Sequence, residues 1–317
     1  MKVKKVLFVY NAHAGQGRIR FALTDVLDIF QKAGYEVTVH PTQNRGDATV
    51  CVLENDGKYD MIVCSGGDGT LDEVVKGMGG CRQKVPVGYL PAGSTNDFGK
   101  TLGIPSEFAK AARVVVEGRP YSCDVGTFNG NPFVYIAAFG ALTEVSYETN
   151  QRFKNVFGHL AYVLEGIKSI GMGNLKPYSM SVVTNDQLIK DTFIYGMVSN
   201  TVSIGGMRFA DKNVKLDDGE FEALFVKYPN DPVELNSLLS SLLAQEADPD
   251  HMYFFRASEI HIKADQEIPW TLDGENGGFH EEADIENLRR HIQIVAPENL
   301  AVLDGDGGSE RISEPKE

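Results

Sequence analysis

The spacing of apolar positions divides the chain into two regimes that meet near Tyr121. In the first, short apolar runs alternate with amphipathic stretches of helical period. VKKVLFVY (3–10) predicts a strand, and the polar loop NAHAGQGR follows it. From Ile19 onward, Leu23, Val26, Leu27 and Phe30 recur at the spacing of one helix face, with Gly34 as its stop. YEVTVH (35–40), a helix at 47–55, YDMIVC (59–64), a helix at 70–78, VPVGYL (85–90) and a further helix continue the alternation. Strands and helices in that order predict parallel βαβ units, hence an α/β fold with a doubly wound N-terminal domain.

After Tyr121 the period shortens. DVGTFNGNPFVYIAAFG, YSMSVVTNDQLIKDTFIYGMVSN, FEALFVKY, FFRASEIHIKA and RRHIQIV read as strands, and Asn129-Gly130 and Asn185-Asp186 as hairpin turns. Helices are predicted at about 155–170, carrying Val156, Leu160, Val163, Leu164 and Ile167, and at about 232–243. The expected second domain is therefore antiparallel and β-rich. Boundaries are expected at 1–122 and 123–295, with a segment at about 296–304 returning to the first domain. The charged, glycine-rich tail 305–317 is expected to be disordered.

Composition narrows the function. A chain of 317 residues, 42% hydrophobic and 23% charged, has the make-up of a soluble globular protein with room for two cores. Its formal charge of −14 excludes general affinity for nucleic acid, and leaves only a local patch for contact with an anionic membrane. Cys51, Cys64, Cys81 and Cys123 form no CxxC pair and read as buried free thiols in a reducing compartment. The apolar run behind the basic start ends at Asn11, too short for a signal segment, and FVYIAAFGAL (133–142) is too short to span a bilayer. A soluble, cytoplasmic protein is expected. His13, His159, His251 and His261 lack metal-ligand spacing.

The chemistry concentrates in VCSGGDGTLDEVV (63–75). A strand ends at Ser65, Thr70-x-x-Glu73 reads as a capping box starting the next helix, and Leu71, Val74, Val75 and Met78 share its buried face. Gly66-Gly67-Asp68-Gly69 then turns from strand to helix at the carboxyl edge of the sheet, where ligands of such folds bind. Glycines let backbone N–H groups approach a phosphate, but Asp68 would repel one unless Mg²⁺ lay between them. Alternatively, Asp68 stabilises only its own turn. LPAGSTNDFG (90–99) repeats the arrangement, opening a helix through Ser94-x-x-Asp97, and the loop Asn11–Arg18 is a third polar turn on that edge. It is no Walker loop, since no lysine occurs between Lys5 and Lys32.

SGGDGTLDEVV followed by PAGSTNDFGK resembles the catalytic domain of the diacylglycerol kinase-like lipid kinases, a group that includes bacterial diacylglycerol kinases, sphingosine kinases and ceramide kinases. KVLFVYNAHAGQGR is similar to that family's opening loop, LDDGEFEAL (216–224) to its structural-metal segment and TLDGE (271–275) to its late acidic motif. The resemblance implies an ATP-binding α/β domain, a β-sandwich lipid domain, and a Mg²⁺-dependent kinase acting on a lipid alcohol of diacylglycerol or sphingoid type. Asn11, Gly15 and Thr42 would then line the nucleotide site. Gly66, Gly67, Asp68, Gly69 and Thr70, with Ser94, Thr95 and Asn96, would hold phosphates and Mg²⁺. Asp97 would support that site, Glu275 would act as general base, and Lys215, Asp218 and Glu220 would bind the structural metal.

The first loop departs from the family pattern. It lacks the usual proline and the lysine some members carry at position 16, leaving Arg18 as its candidate phosphate cation. Two alternatives stay open at this level: an NAD kinase-like enzyme sharing the Gly-Gly-Asp-Gly turn, and a non-catalytic nucleotide- or lipid-binding regulator. Arg152, Lys154, Lys168 and Lys176 against the single acid Glu165 make 152–176 locally basic, which suits peripheral membrane contact or an ordinary amphipathic helix. The resemblance leaves a homodimer open.

Overall fold

The computed structural model describes residues 3–93, 96–140, 173, 175–200, 215–244 and 248–298. The first half builds β1 (Lys4–Tyr10), a 3-10 turn (Ala14–Gly17), α1 (Ile19–Lys32), β2 (Tyr35–Pro41), α2 (Asp47–Glu54) and β3 (Met61–Gly66). It continues with α3 (Asp68–Gly80), β4 (Val87–Pro91), α4 (Asp97–Thr101) and α5 (Phe108–Glu117). The strands run parallel in the order β4-β3-β1-β2, so Tyr10, Pro41, Gly66 and Pro91 all end on one edge. Every residue of β3 and β4 is buried, as expected of parallel strands covered by helices on both faces. The predicted helix faces hold: Val26 and Phe30 on α1, and Leu71, Val74, Val75 and Met78 on α3, lie in this core. All four cysteines are buried and free.

The second half contains β5 (Arg119–Phe128), β6 (Asn131–Phe133), β7 (Ile136–Gly140), β8 (Tyr178–Thr184), β9 (Leu188–Ser199) and β10 (Phe221–Lys227). Then come α6 (Pro232–Ala244), β11 (Met252–Ala257), β12 (Glu259–Leu272) and β13 (Glu275–Ala296). Its strands pair with one another antiparallel, and both hairpins read from the sequence are present. Asn129 and Gly130 have φ of 49° and 77°, the left-handed pair that a tight hairpin turn requires. Phe128 and Phe139 pack against Trp270 with ring centroids 4.8 and 4.9 Å away, at the centre of the second core. The helix expected at 155–170 and the tail expected at 305–317 lie outside the described residues.

β13 joins the halves. It pairs with β12, then with β5, and its end lies parallel to β4 through Ile294 and Val87, so one sheet runs through the molecule. The return to the parallel strands thus comes by way of β13; of the segment expected at 296–304, only 296–298 are described. The strand manages its 22 residues by bulging between Leu288 and Ile292, where Arg290 has φ 50°. The buried Asp124 carboxylate pins that bulge, accepting N–H bonds from Arg290 and Gly219, each 2.7 Å. Burial raises the pKa of Asp124, and those two donors hold the rise back.

Candidate active site

Three loops converge at the carboxyl edge of the parallel strands. The Asn11 N–H donates to Ser65 O (2.8 Å), and the Asn11 side chain accepts from the His13 N–H (2.9 Å), closing its own turn. Gly15, at φ 53°, touches the second glycine turn so closely that a Cβ there would stand 1.9 Å from Ala92 O. A Cβ on Gly93 would stand 2.6 Å from Gly67 Cα. The Gly66 carbonyl stitches the turns together, accepting from Ala92 N (2.7 Å) and the Tyr89 hydroxyl (3.2 Å). Glycine is needed here because backbone meets backbone. Thr42 joins the same edge, its N–H donating to Tyr10 O at 2.9 Å.

Asn96 is buried and left-handed, at φ 52°. Its amide bonds Gly93 on both sides, accepting from the Gly93 N–H and donating to the Gly93 carbonyl, each at 2.8 Å. It shapes the turn instead of starting a helix turn, and α4 begins at Asp97 with Asn96 as its cap residue. Ser94, Thr95 and the Asp97 side chain lie outside the described residues.

The capping box does not form. α3 starts at Asp68, two residues before Thr70, and no side chain caps it. Thr70 folds back on Gly66, where a Cβ would meet its Oγ1 at 2.3 Å. Glu73 turns to the neighbouring helix and accepts from Gly46 N (2.8 Å) and Ala48 N (3.2 Å) at the start of α2. Glu73 therefore couples the glycine-turn helix to the loop between β2 and α2.

The late acidic turn arrives from the opposite side. Glu275 Oε1 is the heavy atom a Cβ on Gly69 would meet, at 3.6 Å, so the face over Gly69 is otherwise open among the described residues. Glu275 Oε2 pairs with the Arg45 guanidinium at 3.0 Å. Asp273, at φ 50°, sets this turn: its carboxylate accepts the successive N–H groups of Val134, Tyr135 and Ile136 at 2.7, 2.8 and 2.9 Å, and its own N–H donates to Ile136 O. Burial, with the nearby Asp72 charge, pushes the Asp273 carboxyl up to about 7 against those three donors. Asp72 is raised by burial too, a rise that Lys76 at 2.8 Å holds back and the charges of Glu275 and Glu73 add to. Glycine backbone and the first turn of α3 make a setting that favours an anion, with Asp72 within electrostatic reach of both Asp273 and Glu275.

Residues 5–128 match the family model for the diacylglycerol kinase catalytic domain. The chain is 32% identical over 301 residues to a diacylglycerol kinase of Bacillus subtilis, covering 94% of this chain and 98% of that one. It is 30% identical to a diacylglycerol kinase of Staphylococcus carnosus, covering 94% and 96%. A crystal structure from Bacillus anthracis, described as a candidate diacylglycerol kinase, superposes with a TM-score of 0.79 at 28% identity, covering 93% and 96%. The chain belongs to the diacylglycerol kinase family. Membership supports a lipid kinase over the NAD kinase-like and non-catalytic alternatives. Among the described residues, no helix is long and apolar enough to cross a membrane.

In the segment expected to hold a structural metal, the acids have protein partners. Asp218 accepts from Lys215 N (3.3 Å) and Glu220 N (3.1 Å) and pairs with Arg256 at 2.5 Å. Arg256 also reaches Glu220 and the buried Glu222, at 3.1 and 3.3 Å. Arg18, the cation expected to serve the first loop, lies over the Phe108 ring with its guanidinium 5.9 Å from the centroid. Arg45, Asp72, Asp124 and Asp273 were not singled out from the sequence, and Glu73 only as half of a capping box. Asp273 was within reach, as the acid beside Glu275 in a Gly-containing turn; Arg45 had no local signal, because its partner lies at the far end of the chain.

Proposed function

We propose that this protein is a Mg²⁺-dependent kinase that transfers the γ-phosphoryl group of ATP to the free hydroxyl of diacylglycerol. The observation that carries the reading is the meeting of Glu275 with Gly69: a carboxylate stands at the open face of a glycine turn built for phosphate. When bound, ATP supplies the phosphoryl group and Mg²⁺ neutralises the charge that develops on it. The first turn of α3 receives the phosphates on backbone N–H groups, with Gly66, Gly67 and Gly69 allowing close approach. Asp68, Thr70 and Asp97 hold the metal side of the site, with Ser94, Thr95 and Asn96 completing the second turn. Asn11, Gly15 and Thr42 border the nucleotide. Glu275 takes the proton from the attacking hydroxyl, a role that needs one oriented carboxylate within hydrogen-bond reach.

On this reading residues 1–122 form the ATP-binding domain and 123–295 a β-sandwich domain that presents the lipid. The basic segment 152–176 meets the membrane surface that holds the substrate. Asp218, with Lys215 and Glu220, would hold a structural Mg²⁺, and the Arg256 guanidinium would then keep Glu220 and Glu222 as its partners.

The test is transfer of labelled γ-phosphate in mixed micelles offering diacylglycerol, sphingosine, ceramide and, separately, NAD. Labelled phosphatidic acid in the presence of Mg²⁺ is the expected product. Labelled NADP, or another lipid phosphate made faster than phosphatidic acid, overturns the assignment.

A further inference from the structure

We infer that Arg45 is the nucleotide's terminal-phosphate ligand and that its pairing with Glu275 is the resting state of an exchange: bound ATP draws the guanidinium away and uncovers the base. The inference rests on the reading of Glu275 and the glycine turn given above and goes beyond it by adding a residue and an order of events. It begins from a deficit of charge. The first loop has no lysine, and the arginine that ends it and the one that follows in α1 are both engaged. Arg18 lies between the Phe108 ring and Gly15, and Arg20 holds the loop itself, donating from Nε to Ala12 O at 3.0 Å and contacting His13 Nδ1 at 3.4 Å. A glycine turn with Asp68 in the first turn of its helix and Glu275 over Gly69 needs a cation for the terminal phosphate. Arg45 is placed to be that cation, 3.0 Å from the carboxylate that overlies Gly69.

Its loop has the mechanics for an exchange. Glu73 fixes the backbone on either side of Asp47 through Gly46 N and Ala48 N, Asp47 accepts from Gln43 N at 2.7 Å, and Thr42 N is tied to Tyr10 O. The Arg45 side chain beyond that fixed base is 74% exposed. An exposed ion pair of this kind is weak and exchanges easily. A phosphate carries more charge than a carboxylate and accepts the guanidinium fork in the same bidentate way, so it wins the competition when it arrives on α3. Glu275 is left free to accept a proton only once the phosphoryl donor is in place, which guards the site against premature engagement with the lipid hydroxyl.

The test measures equilibrium binding of MgATP and MgADP, without lipid, to the full chain and to Arg45→Gln, Arg45→Lys, Glu275→Gln and the Arg45→Gln/Glu275→Gln double variant. Arg45→Gln is expected to weaken MgATP by roughly 10-fold or more, the scale of a lost charge-assisted contact, and MgADP much less; Arg45→Lys recovers part of the loss. Glu275→Gln is expected to tighten MgATP up to about 5-fold, and to do so more in the Arg45 protein than in the Arg45→Gln background. Equal weakening of ATP and ADP, or an equal Glu275→Gln effect in both backgrounds, overturns the exchange while leaving the kinase assignment standing. A wild-type chain that binds neither nucleotide overturns both.

Discussion

The Glu275 carboxylate lies over Gly69, 3.6 Å from where that glycine's Cβ would be, so two segments some two hundred residues apart in sequence meet at one point. β13 explains how: it starts at Glu275, against β12, and finishes beside β4 at the edge of the parallel strands. The continuous sheet sets the distance between the acid and the glycine turn.

Backbone contact between the loops predicts that Gly15→Ala is destructive. Its φ of 53° and a Cβ 1.9 Å from Ala92 O leave no room for a methyl group. The strain is expected to cost roughly 1–3 kcal/mol and to weaken nucleotide binding by more than tenfold, because Ala92 and the second turn must move. Urea unfolding and nucleotide titration check both, and an unchanged affinity would remove the first loop from the site.

Glu73 holds α2 as a borrowed cap. Glu73→Ala is expected to cost about 0.5–2 kcal/mol, the usual loss on removing a helix N-terminal acceptor, and to raise the KM for ATP by loosening the Arg45 loop. Unfolding midpoints identical to wild type would mean that the Gly46 and Ala48 N–H groups do not depend on Glu73.

Asp273 predicts a pH signature. The folded protein holds its proton up to about pH 7, whereas the unfolded chain releases it near the ordinary value of 3.8. This group's contribution to stability is therefore most favourable below about pH 4, declines as pH rises, and is lost above about 7. Thermal melts between pH 4 and 8 should show wild type losing stability relative to Asp273→Asn across that window. A difference that is flat or rises with pH would mean that the three backbone donors outweigh burial.

Asp218 tests the proposed structural metal. Mg²⁺ is expected to raise the melting temperature of wild type, EDTA to reverse the gain, and Asp218→Ala to abolish it. A wild-type transition indifferent to both leaves Arg256 as the sole counter-charge required there.

The parallel half was legible in the sequence because each element carries its own signal, as in the face formed by Leu71, Val74, Val75 and Met78 on α3. The glycine positions were legible for the same reason: Gly67 and Gly93 are glycine because each lies against the other's backbone, and Gly66 because the Thr70 side chain folds onto it. Side-chain partners were not. Thr70-x-x-Glu73 fits a capping box, yet α3 begins at Asp68 and Glu73 finds better donors on α2, a choice that depends on how the helices pack. Arg45 and Glu275 come together only when β13 is laid beside β12 and β4. The cation expected from Arg18 was sought within one loop; Arg45, the residue inferred for that role, is brought in by its pairing with Glu275.

The most direct measurement is phosphoryl transfer from ATP to diacylglycerol by wild type, Asp68→Ala and Glu275→Gln, with MgATP binding measured on the same preparations. The meeting of Glu275 with the glycine turn predicts that Glu275→Gln lowers kcat by roughly 10²–10⁴, the size of a general-base contribution, with MgATP binding no weaker than wild type. Asp68→Ala, folded by its melting curve, is expected to fall below a tenth of wild-type turnover at saturating Mg²⁺. A Glu275→Gln enzyme that phosphorylates diacylglycerol at the wild-type rate would contradict the assignment of this site as catalytic.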